Sequence, residues 1–252
     1  ASSIYPVPGS QFAIANIPRM LEPSIVAIPQ TGYREHGKAW HRHGHQLIYY
    51  STIDELAYLI EIQKVRYAVV INPNNPSGEY VSPARLHGLA EALENQFRGA
   101  NGDKSCRKRQ TLLLIDEAFV DLDPSYSSIA DRRENCIILR SLGKFFGLAG
   151  LRLGFVFGSA LWCQAIAEEA GLWSIPSTSQ WIAEQALVDS PWVELQRKRI
   201  LNQSETFIAA LSKMLGQSEY RMINRGLFVT MFGDRDWCYS WFIRLAEQGI
   251  LT

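Results

Sequence analysis

Four short apolar runs punctuate the middle of the chain: YAVVI at residues 67–71, TLLLI at 111–115, CIIL at 136–139 and LGFVFG at 153–158. Each is continuous rather than alternating and is bounded by turn-forming or polar residues, the pattern of strands buried on both faces. Between the first two lies a helical stretch. Ser82 is placed to cap it, Pro83 suits its first turn, and Leu86, Leu89, Ala90, Leu93 and Phe97 repeat at helical spacing. Strand, helix and strand in repetition predict an α/β class protein, a three-layer α/β/α sandwich with a mostly parallel sheet. Ligands of such sheets sit at the carboxyl ends of the strands, so chemistry is expected immediately after each run.

The pattern changes near residue 190. Pro191 opens an amphipathic stretch over 192–215, followed by the strand-like LFVTMF at 227–232 and a second amphipathic segment at 237–248. This predicts two domains: a large one over 1–190, and over 191–252 the start of a small α+β domain. ASSIYPVPGS has neither the basic nor the apolar region of a secretory signal, and GILT stops as an apolar segment begins. Both ends are therefore expected to be cut.

Lysine plus arginine equal aspartate plus glutamate at 25 each, which gives no basic footprint and no expectation of nucleic-acid binding. No apolar run approaches the ~18 residues of a membrane span. The polar, basic stretch GANGDKSCRKRQ at 99–110 reads as a solvated loop. Cys106, Cys136, Cys163 and Cys238 form no C-x-x-C pair, and a reducing, cytoplasmic compartment is expected. HRHGH presents His41, His43 and His45 in alternation, which on a strand would share one face. With no acidic or cysteine ligand nearby in sequence, no metal site is expected.

Three motifs follow three of the runs. INPNNPSGEY after YAVVI rigidifies a turn able to aim the Asn75 amide into a cleft. Asp116 directly follows the aliphatic residues of TLLLI, where a carboxylate is costly to bury unless a cation or donors face it. SLGKFFGLAGLRLG after CIILR gathers Ser141, Lys144 and Arg152 in a glycine-rich loop. There Phe145, Phe146 and Leu148 are expected to desolvate the Lys144 amine in part. Together these residues ask for a ligand with a phosphate, a carbonyl, a basic ring nitrogen and a ring hydroxyl. Pyridoxal 5′-phosphate has all four.

On these motifs the chain, from about Pro8 to its last residue, resembles the fold-type I pyridoxal-phosphate enzymes. It is most similar to the branch holding the histidinol-phosphate aminotransferases and the threonine-phosphate decarboxylases. The resemblance implies that Lys144 is the Schiff-base lysine and Asp116 the partner of the pyridine nitrogen. It implies that Asn75 bonds the ring oxygen, and that Ser141, Arg152 and the helix start Gly9, Ser10 and Gln11 bind phosphate. Tyr33 of PQTGYREH matches the aromatic that stacks on the ring. Phe119 stands where many relatives carry a tyrosine, and DEAFVD favours the decarboxylases over the DEAY more often seen in histidinol-phosphate aminotransferases.

The implied activity is decarboxylation of O-phospho-L-threonine, a small phosphorylated amino acid, in cobalamin biosynthesis. The alternatives are a histidinol-phosphate-type aminotransferase and a non-catalytic module of the same fold. The resemblance also implies a homodimer. It places the ligand of the substrate's carboxylate after Thr252 and the segment that covers the substrate's phosphate before Ala1.

Overall fold

The computed structural model describes residues 3–97, 110–215 and 220–251, so most of the basic stretch at 99–110, with Cys106, lies outside the described residues. The chain divides into two compact units, residues 1–75 with 79–190, and residues 76–78 with 191–252.

The first unit is built on seven strands. These are β1 (Ile4–Val7), β2 (Ile25–Pro29), β3 (Gln46–Tyr50), β4 (Tyr67–Ile71), β5 (Leu112–Asp116), β6 (Cys136–Ser141) and β7 (Gly154–Phe157), in the spatial order β1-β7-β6-β5-β4-β2-β3. The strands from β6 through β3 run parallel, while β7 is antiparallel to both β6 and β1.

The continuous apolar runs divide by strand alternation between two cores. Val69, Leu112, Leu114, Ile137 and Leu139 face one side. They pack with Ile14 of α1 (Ser10–Asn16), Trp40 of α2 (Glu35–Arg42) and Trp162 and Ile166 of α5 (Ala160–Ala170). Ala68, Val70, Leu113, Ile115 and Ile138 face the other side. They pack with Leu56 and Ile60 of α3 (Ile53–Ile62) and Leu86, Leu89 and Leu93 of α4 (Pro83–Gln96). The predicted three layers are present. The Ser82 hydroxyl accepts from the Arg85 amide at 3.3 Å, capping α4. α6 (Ser177–Val188) completes this unit.

The second unit holds α7 (Ser190–Leu215), the antiparallel pair β8 (Arg221–Asn224) and β9 (Val229–Phe232), and α8 (Arg235–Glu247), whose first turn is capped by Asp234. Among the described residues no helix is long and apolar enough to cross a membrane.

HRHGH is not a strand. His41 lies in the last turn of α2, His43 is its cap and His45 precedes β3, because the run crosses a helix terminus and the glycine turn that follows it. His45 is buried with both ring nitrogens engaged: Nε2 lies 2.9 Å from the Pro18 carbonyl, and Nδ1 accepts from the Ser24 amide at 3.3 Å. No group of three or more metal-ligating side chains occurs among the described residues.

Candidate active site

Strand direction explains why distant motifs meet. β2, β4, β5 and β6 are parallel and end at one rim of the sheet, so Asp116, the last residue of β5, and Tyr33, Asn75 and Lys144, which follow β2, β4 and β6, come to that rim. Antiparallel β7 begins at the same rim and brings Arg152 there. β1, antiparallel to β7, ends there with Gly9 and Ser10. The registers Ile71↔Asp116, Asp116↔Leu139 and Ser141↔Gly154 hold these ends level.

A cavity of about 380 Å³ opens at this rim, a size ordinary for small-molecule sites. Gly9, Ser10, Gln11, Tyr33, Asn75, Asp116, Ser141, Lys144 and Arg152 all line it. Every site residue singled out in the sequence is thus brought to one place.

Asp116 is the buried centre of the cavity, 4% exposed. Its Oδ2 lies 3.0 Å from Nε2 of His36, which is itself fully buried, and its Oδ1 accepts from the Ala118 amide at 3.1 Å. These donors answer the burial cost that the sequence poses. His36 stands three residues after Tyr33 in the first turn of α2. Nothing in PQTGYREH distinguishes it before the fold is known.

Lys144 differs from expectation in its surroundings. Lys144 is an exposed residue, and its amine stands over the ring of Phe119, 5.1 Å from the centroid. Phe145 instead points into the protein interior at 2% exposure, and Phe146 packs half-buried against Leu142 and Leu153. The cause is the tight turn after β6, in which the Gly147 amide bonds the Lys144 carbonyl at 3.1 Å. It turns the neighbouring aromatic inward and leaves the lysine facing the cavity. The apolar neighbour of the amine is Phe119, the residue at which the sequence departs from the commoner tyrosine.

Gly9, Ser10, Ser141 and Arg152 complete the lining. Gly9 has φ +79°, and a Cβ there would come 2.8 Å from Nη2 of Arg152, so the absent side chain lets the guanidinium lie against the start of α1. Gly154 has the same function between strands. A Cβ there would lie 2.7 Å from both the Ser10 amide nitrogen and the Arg140 carbonyl oxygen. The Ser141 hydroxyl accepts from the Gly143 amide at 3.1 Å.

Tyr33 is half exposed and donates its hydroxyl to Oε1 of Gln11 at 3.0 Å. Partial burial, then the carboxylates of Glu35 and Asp116, raise its pKa above 10, which keeps it a donor. Asn75 is exposed on the rim. Asn72 and Asn74 of that turn are buried instead: the Asn72 side chain clamps both polar groups of Val81 and the Tyr126 carbonyl, and Asn74 donates to the Thr31 carbonyl at 2.8 Å.

The aminotransferase class I and II family matches the chain over residues 1–252. The chain is 35% identical over 254 residues to a threonine-phosphate decarboxylase of Pseudomonas aeruginosa, covering 100% of this chain and 70% of that protein. It is 35% identical over 250 residues to a threonine-phosphate decarboxylase of Sinorhizobium sp, covering 98% of this chain and 68% of the relative. In fold it is similar to the histidinol-phosphate aminotransferase of Sinorhizobium meliloti in complex with pyridoxal-5′-phosphate. The TM-score is 0.81 at 22% identity, covering 99% of this chain and 67% of that one.

Proposed function

The chain belongs to the aminotransferase class I and II family, and from that premise we propose that it is a pyridoxal-phosphate-dependent decarboxylase of O-phospho-L-threonine, yielding carbon dioxide and (R)-1-aminopropan-2-yl phosphate for cobalamin biosynthesis. The observation that carries this reading is the 35% identity to a threonine-phosphate decarboxylase along 100% of the chain.

The cavity suits this cofactor. The space that Gly9 leaves for the Arg152 guanidinium forms an anion cradle, to which Ser141 and the amides of Ser10 and Gln11 add donors. Asp116, backed by His36, would hold a proton on the pyridine nitrogen, Asn75 would donate to the ring oxygen, and Tyr33 would cover one face of the ring. When bound, pyridoxal phosphate supplies an aldehyde for amine chemistry and a ring that accepts the electron pair of a breaking bond.

Orientation is the chain's own contribution. With the cofactor bound, a substrate carboxylate held perpendicular to the ring would be the group lost, whereas a hydrogen held there would favour transamination, so the residues that orient the substrate would choose the reaction. Lys144, which lines the cavity, would return a proton to the substrate α-carbon. Phe119 offers no hydroxyl to the ring oxygen, so Asn75 would serve that oxygen alone.

The proposal extends to organisation. Residues 1–190 form the cofactor-binding domain and 191–252 belong to a second, smaller one, a reading supported by the division between units at Pro191. The active form is a homodimer, tested by sedimentation equilibrium. Cytoplasmic residence suits the free, buried thiols of Cys136 and Cys163.

The test is an assay with O-phospho-L-threonine and pyridoxal phosphate. Carbon dioxide released without any keto acid supports the decarboxylase. Turnover strictly dependent on 2-oxoglutarate contradicts it and favours a histidinol-phosphate-type aminotransferase.

A further inference from the structure

Behind the cavity lies a charged cluster that no step above uses. Glu117 follows Asp116 directly, and its side chain is fully buried. Its carboxylate accepts from the Ser127 hydroxyl and the Ser128 amide, each at 2.7 Å, and Nη1 of Arg140 lies 3.5 Å away. The same guanidinium pairs with Asp121, which is 8% exposed. Arg140 directly precedes Ser141 on β6. One cation therefore ties the loop that starts at Asp116 to the strand end that leads into Ser141 and Lys144.

Buried ion clusters are weak sources of stability. Well-packed neutral replacements are often as stable or more so, whereas removing a single member leaves a charge buried without its counter-ion. What a cluster of this kind does supply is direction. A guanidinium fork meeting two carboxylates at fixed angles permits one arrangement of the elements that carry them.

Resting on the pyridoxal-phosphate reading, we propose that Arg140 is a positioning residue. Gripping Glu117 and Asp121 from behind, it sets the separation between the Asp116 strand end and the Ser141–Lys144 strand end, and hence the fit of the cavity to its cofactor. It touches neither cofactor nor substrate.

The experiment measures pyridoxal-phosphate Kd by absorbance titration, and Tm in parallel, on the 252-residue chain. Arg140→Met is expected to lower Tm and raise Kd roughly ten- to a hundredfold, by analogy with groups that orient the ligands of a bound metal. The neutral triple variant Arg140→Met/Glu117→Gln/Asp121→Asn removes all three charges of the cluster, so Tm returns toward wild type while Kd stays high. Arg140→Lys keeps the charge without the fork, so it folds and shows a measurably raised Kd.

A triple variant that binds as wild type does would show that the cluster acts through stability alone, and would overturn the inference. An unchanged Kd in Arg140→Lys would do the same. Failure of wild type itself to bind pyridoxal phosphate would overturn the functional reading, and this inference with it.

Discussion

Nε2 of His36 lies 3.0 Å from Oδ2 of Asp116, and both side chains are closed off from solvent. The pair joins the first turn of α2 to the end of β5, so the orientation of the carboxylate depends on a helix separated from it by 80 residues. His36→Phe keeps a ring in the space and removes the partner. A hydrogen bond to a charged group contributes roughly 1.5–3 kcal/mol, a factor of about 10 to 150 in rate. Decarboxylation at saturating cofactor is expected to fall within that range, measured as carbon dioxide release. An unchanged rate would show that Asp116 needs no such support.

Gly154 is the point where β7 passes closest to the start of α1. The Cβ of Gly154→Ala would meet two backbone atoms at 2.7 Å, and backbone cannot swing aside as a flexible side chain can. A loss of about 1–3 kcal/mol in urea unfolding is expected, as for overpacking in a tight core. Gly150→Ala serves as the control. No atom lies within 4 Å of its added methyl, so a change within about 0.5 kcal/mol is expected.

His45 makes stability depend on pH. Burial lowers its pKa below 6.5, outweighing the hydrogen bond to Pro18 that favours the charged form. Below 6.5 the unfolded chain therefore takes up the proton more readily than the folded one. This contribution to stability is complete above 6.5 and is lost as pH falls from there through the folded-state value. His45→Gln keeps one donor and one acceptor without titrating. Urea midpoints between pH 8 and pH 5 are expected to fall more steeply for wild type than for the variant.

The opposite sign holds at Glu117. Burial raises its pKa above 4.5 despite the donors of Ser127, Ser128 and Arg140. The folded chain then holds the proton to higher pH than the unfolded chain, so this group's contribution to stability declines as pH rises from 4.5 through the folded value. Glu117→Gln should remove that decline. The gap in urea midpoint between variant and wild type should shift toward the variant across the same window.

Much of the fold is legible because β4, β5 and β6 are buried on both faces. Strands of that kind are written as unbroken aliphatic runs, and YAVVI coincides with β4 to the residue. The motifs after those runs are legible for the same reason, since residues following parallel strands share a rim. The antiparallel course of β7 is not, because LGFVFG reads alike in either direction. Nor are His36 and Arg140, whose roles arise from contacts across 80 and 23 residues of chain with Asp116 and Glu117. The surroundings of Lys144 do not follow from its sequence neighbours: a turn sends Phe145 inward and brings Phe119 beneath the amine.

The account depends on Lys144 bonding the cofactor aldehyde. The direct measurement is borohydride reduction of the protein incubated with pyridoxal phosphate, followed by peptide mass spectrometry. The expected result is a reduced pyridoxyl group on the peptide containing Lys144, absent from Lys144→Ala. A label on other lysines only, or equal labelling of the variant, would contradict it.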